Sequence, residues 1–150
     1  MKLPFCLIVV LFGFSLLRIH AVDIVSEKAD RALYEIYDLR TKTAQRIIDE
    51  ERKRDPGNLY YEYLENWKQV IELLVYTDDE RYKSYLESLD KRLERIMEEG
   101  DKASPSYHIL LGEIYAHAAM AHVMYGDYLP AFRKLLKAKR NAYKNVEDHP

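Results

Sequence analysis

Between Val22 and Val146, apolar residues recur at steps of three and four, broken about every 20 residues by turn-forming stretches. That spacing gathers apolar side chains on one face of a helix, and no segment shows the alternation of a half-buried strand. A first helix is marked by Val25, Ala29, Ala32, Leu33, Ile36 and Tyr37 and is expected to end between Asp38 and Thr41. A second carries Ala44, Ile47 and Ile48, then the polar run "DEERKR", and stops at Asp55-Pro56-Gly57-Asn58. Proline cannot continue a helix and disfavours helical geometry in the residue before it. The third stripe is Tyr60, Tyr63, Leu64, Trp67, Val70, Ile71 and Leu74. Thr77-Asp78-Asp79 offers caps for a fourth helix, striped by Tyr82, Tyr85, Leu86, Leu89, Leu93, Ile96 and Met97 and closed by Gly100.

Ser104-Pro105 reads as a helix start, a capping hydroxyl followed by proline in the first turn. The fifth helix runs from there to about Tyr125, and Gly126-Asp127 breaks it. The sixth runs from about Tyr128 to Val146 through Phe132, Leu135, Leu136, Ala142 and Tyr143, with Pro130 acceptable in its first turn. Six helices with short connections predict an all-α fold of three stacked antiparallel hairpins. One hairpin is a poor core, whereas three together bury their apolar faces.

The first 21 residues stand apart. "MKLPFCLIVVLFGFSLLRIHA" has Lys2, an apolar run from Leu3 to Leu17, and a small residue, Ala21, at its end with Ile19 two before it. This is the pattern of a cleaved signal peptide, so 1–21 is assigned to a leader and 22–150 to the helical domain. The run is short for a spanning helix, which needs about 20 residues; a retained N-terminal anchor is the alternative. Cys6 precedes the apolar run, where it cannot serve as a lipidated N-terminus. Cleavage would remove this single cysteine, leaving no disulfide in an oxidising compartment, so packing must hold the fold. It would also remove Lys2 and Arg18 and take the net charge from −2 to −4. An acidic balance does not suggest a nucleic-acid partner, which would favour a basic face.

The segment "LGEIYAHA…GDYLPAFRKLLKA" resembles a tetratricopeptide-type hairpin. Leu111-Gly112 and Tyr115 stand on its first helix, and Ala131, Leu135 and Ala138 stand on its second, after Gly126-Asp127-Tyr128. Gly112 and Ala131 lack bulk, which would let two helix backbones approach closely. "TAQRIIDEERKRDPGN" is similar to the closing helix of such a repeat, with its Asp-Pro end. The likeness covers about Leu33 to Val146 and departs from the family in its longer repeat and in a first hairpin without the leucine-glycine pair. It is nearest to exported helical-repeat (TPR-like) proteins of Gram-negative bacteria, which implies a periplasmic or secreted protein. Such proteins usually continue for several repeats, so one reading makes this chain the N-terminal part of a longer one. In such stacks the first helices of successive hairpins line a concave face that takes an extended peptide or a protein helix. By resemblance alone, that face would include Ser106, Ile109, Glu113 and His117.

The residues with reactive side chains do not assemble a motif. Glu113 and His117 are four apart and share a face, but one such pair lacks the three protein ligands of a catalytic zinc site. His122 lies about 140° round the helix from His117. "YYEYLENW" could form an aromatic platform, with Tyr60, Tyr63, Leu64 and Trp67 read as core and Tyr61 and Glu65 as the better contacts. "DEERKR" and "DKRLERIMEE" read as solvated, mixed-charge helix surface. There is no Gly-rich phosphate loop and no nucleophile elbow. The expectation is therefore a non-catalytic scaffold binding a protein or peptide, with no cofactor, no metal and no membrane span once the leader is cleaved. The alternatives are a glycan-binding module of an envelope uptake system, tested at Trp67 or Tyr61, and an accessory helical domain of a larger exported enzyme.

Overall fold

A computed structural model of the protein describes residues 27–149; the leader assigned to 1–21 lies outside the described residues. These form six helices and no strand. They are α1 (Glu27–Tyr37), α2 (Thr41–Arg54), α3 (Tyr60–Tyr76), α4 (Asp79–Glu99), α5 (Pro105–Met124) and α6 (Tyr128–Asp148). The all-α class read from the periodicity is what the described residues adopt.

The helix ends follow their local chemistry. Asp78 caps α4 by accepting from the backbone N–H groups of Glu80 and Arg81, and Ser104 caps α5 with Pro105 behind it. Gly126 sits at φ +80, the left-handed geometry that glycine adopts without a Cβ clash, and turns the chain from α5 into α6. Gly100 works differently. Its φ of −73 suits any residue, but an added Cβ would lie 2.5 Å from the Ile96 carbonyl oxygen and 2.7 Å from the Tyr107 ring. Two non-glycine residues also take left-handed φ, Leu39 between α1 and α2 and Thr77 at the end of α3.

α3 is the centre of the fold, touching α1, α2, α4 and α5. This corrects the reading of its faces. With neighbours on most sides, α3 buries Tyr61 (2% exposed) and Leu73 as well as Leu64, Trp67, Val70 and Ile71, while Leu74 is exposed. Tyr61 is core, and Glu65 pairs with Arg52 of α2 at 2.5 Å. Neither is a free contact. The supposed solvated runs also turn inward: Glu51 and Arg92 are buried, and Met97, assigned to the core stripe of α4, is exposed.

The largest correction falls on α6, which packs substantially against α5 alone. It buries only Ala131 and Ala138, while Phe132, Leu135, Leu136 and Tyr143 are exposed. The pairing of small residues is also shifted from the expected one. Gly112 faces Ala138 and Asn141, where an added Cβ would make ordinary contacts at 3.6–3.7 Å, so an alanine would fit there.

Candidate functional site

α1 touches α3 and α3 touches α5, which sets the polar face of α5 beside aromatic residues of α1 and α3. The four expected contact residues share that face of α5 by spacing, but they fall into different environments. Ser106 is half-buried at the start of α5, its hydroxyl 2.7 Å from Ser104 Oγ, beside an open cleft of about 400 Å³ that Asp55, Tyr60, Glu99 and Tyr107 also line. Ile109 is half-buried. Glu113 keeps 24% of its side chain exposed, whereas His117 is buried and belongs to the scaffold.

His117 is held by stacking and by a polar chain. Its ring stacks on Trp67 at 4.3 Å between centroids and lies 5.6 Å from Tyr63. Asn66, fully buried on α3, fixes its tautomer. The Asn66 amide oxygen accepts from the Tyr85 hydroxyl at 3.3 Å and from Arg92 Nη1 at 3.2 Å. The amide nitrogen must then be what lies 3.3 Å from His117 Nδ1, so it donates there and leaves the ring proton on Nε2. Burial drives the His117 pKa down to about 3, so the ring is neutral near pH 7. Arg92 continues the chain to Gln69 at 3.1 Å and lies 3.6 Å from Glu62, which also takes Arg95 at 2.8 Å.

Glu113 is the unusual member. Its nearest basic neighbour among the described residues is His117 Nε2 at 3.7 Å, beyond hydrogen-bond distance, and because that ring is neutral the contact is not an ion pair. No hydrogen bond or cation serves the carboxyl among the described residues. Burial alone pushes its pKa up to about 7. Around it stand three tyrosines. Tyr60 and Tyr63 stack at 5.2 Å, and Tyr37 meets Trp67 edge-on at 6.1 Å. Burial raises all three phenols first, and the Glu113 charge raises each of them further, which places them about one carboxyl. Tyr37 is 46% exposed and forms the outer wall, although its spacing marked it as core. The Trp67 indole N–H, buried beside Tyr37, finds no acceptor in hydrogen-bond geometry.

Two other histidines, His122 and His108, lock helices together. The Tyr82 hydroxyl donates to Asp127 Oδ2 at 2.6 Å and so accepts from His122 Nδ1–H at 2.6 Å, tying α4 to the α5–α6 turn. Tyr125 stacks on Tyr82 at 4.1 Å. His108 donates from Nδ1 to Asn141 Oδ1 at 3.0 Å, joining α5 to α6.

Compared with protein-family models, curated proteins and solved structures, the chain matches none of them. The geometry must therefore speak for the site. Among the described residues no third metal-ligating group joins Glu113 and His117. What remains is a carboxyl poised between its two charge states, in an aromatic niche open to one side. Trp67 (3% exposed) and Tyr61 are too buried to stack on a sugar ring.

Proposed function

We propose that the protein is an exported, TPR-like helical-repeat scaffold, periplasmic or secreted, that binds a protein or peptide partner without catalysis. The partner presents a lysine, arginine or N-terminal amine to Glu113. The carrying observation is the uncompensated carboxyl: a half-buried acid with no cation or donor, ringed by Tyr37, Tyr60 and Tyr63. A cation entering this niche would meet aromatic faces and stabilise the ionised carboxylate, whose proton leaves to solvent, making a charge-assisted contact. The contacts of α1 with α3 and of α3 with α5 are consistent with a concave face built from the first helices of three hairpins. Export rests on the leader pattern of 1–21.

The test is selection of random displayed peptides on the chain lacking 1–21, followed by affinity measurements against Glu113→Gln. The peptides should be enriched in a cationic residue, and Glu113→Gln should weaken them roughly tenfold or more, the loss of one charged hydrogen bond. Because the carboxylate must be ionised to bind, affinity should rise with pH up to about 7 and level off above it. Peptides lacking cations, or bound equally well by Glu113→Gln, would sink the proposal.

A further inference from the structure

Seven of the fourteen large apolar side chains exposed among the described residues lie on one helix, α6. At roughly 100° per residue, Leu129, Phe132, Leu135, Leu136, Tyr143 and Val146 form one stripe along it, each 44–68% exposed. Ala131 and Ala138, the buried contacts with α5, lie about 120° round from the middle of that stripe. The stripe therefore points away from α5, the one helix against which α6 packs substantially. Beside the stripe run Arg133, Lys137, Arg140 and Lys144, none of which has an acidic partner within salt-bridge distance among the described residues. α6 carries six basic residues against two acidic ones, on a chain whose net charge is −2.

We infer that α6 is a membrane-surface helix that seats the protein on an anionic bilayer, with its apolar stripe in the headgroup–acyl boundary and its basic flank on the lipid phosphates. A basic amphipathic helix with Leu and Phe on its apolar face lies in that interface, sunk by about 5–10 Å. Lys139, exposed in the middle of the stripe and lying over the Tyr143 ring, can reach the headgroups along its aliphatic stem. The same residues argue against a second copy as occupant. Two α6 helices face to face would bring net-positive surfaces together and oppose Lys139 to its counterpart across an apolar seam. They also argue against an apolar partner helix, which would have to bury Lys139 in its seam with α6. No described helix is long and apolar enough to cross a membrane, so the association is peripheral.

The test uses the full chain with Cys6→Ser and one reporter cysteine, Leu136→Cys, labelled with an environment-sensitive fluorophore. Because the reporter sits on α6, the apolar segment near the N-terminus does not produce its signal. Vesicles containing phosphatidylglycerol should shift the emission to the blue, and pure phosphatidylcholine vesicles should not. A label at Glu50→Cys, exposed on α2, should stay unchanged. Combined reversal of Arg133, Arg140 and Lys144 to glutamate should weaken vesicle binding roughly tenfold or more and abolish its weakening by added salt, with the helical circular dichroism unchanged. The inference is overturned by no shift with anionic vesicles, by an equal shift with neutral ones, or by a shift that needs only higher protein concentration. The last result would assign the stripe to self-association, and capture of α6 by an acidic protein helix in place of vesicles would assign it to a protein partner.

Discussion

Replacing Glu113 by glutamine should make the protein more stable, and by an amount that depends on pH. In the fold the carboxyl titrates near 7, against 4.5 when solvated. A folded-state pKa above the unfolded one means that the group's stabilising contribution is present in full below about 4.5. It is lost as pH rises through about 7. At ~1.36 kcal/mol per pH unit, that interval puts the cost of burying the ionised form at about 3 kcal/mol. The 24% of the side chain still in contact with water brings the expectation to about 2–3 kcal/mol. Glutamine keeps the shape and removes the charge. Urea unfolding of both proteins from pH 5 to 8 should therefore show Glu113→Gln ahead by about 2–3 kcal/mol at pH 8. The lead should shrink below about 1 kcal/mol at pH 5. His117 stays neutral in the fold across this range and titrates only in the unfolded chain, alike in both proteins, so it cancels in the difference. Equal stability at pH 8, or a gain that ignores pH, would refute an uncompensated carboxyl at this position.

Three further substitutions probe the scaffold. Asn66→Ala removes the fully buried amide that serves Tyr85, Arg92 and His117, and leaving those groups unpaired should cost about 3–5 kcal/mol in urea unfolding. Thr77→Gly should gain about 0.5–1 kcal/mol and raise the thermal midpoint, because a β-branched residue at φ 40 carries a strain that exceeds glycine's entropic cost. Gly100→Ala should lower the midpoint by the equivalent of about 1–3 kcal/mol, since its Cβ would strike both the Ile96 carbonyl and the Tyr107 ring.

The helices were legible because each is written twice, in periodicity and in punctuation. Asp78, Ser104-Pro105 and Gly126 act where their chemistry predicts. Depth was less legible. A stripe says which side of a helix is apolar, but it does not say how many neighbours the helix has. α3 has four, so Tyr61, Asn66 and Lys68 are buried although they lie off the stripe. α6 has one substantial neighbour, so a stripe just as clear lies open. The same limit hid the site. Glu113 and His117 were marked as a pair by their spacing, but the burial that neutralises the histidine and strands the carboxyl comes from Trp67, Tyr63 and Asn66 on α3. Those residues are about 50 positions away in the chain, and no local pattern links them to α5.

Glu113 and the α6 stripe share one property: each works against the stability or solubility of the isolated fold. A stranded carboxyl opposes folding at neutral pH, and an uncovered apolar ridge invites association. Proteins retain such departures from local consistency chiefly where a ligand or surface completes them. They stand on different elements, one in the niche of α1, α3 and α5 and the other on the side of α6 away from its Ala131 and Ala138 contacts with α5. Sites without shared partners act additively. Glu113→Gln should then leave the anionic-vesicle response of the α6 label unchanged, and reversing the α6 charges should leave cationic-peptide binding unchanged. If either substitution moved the other's readout, the two features would belong to a single surface, and one partner would have to account for both.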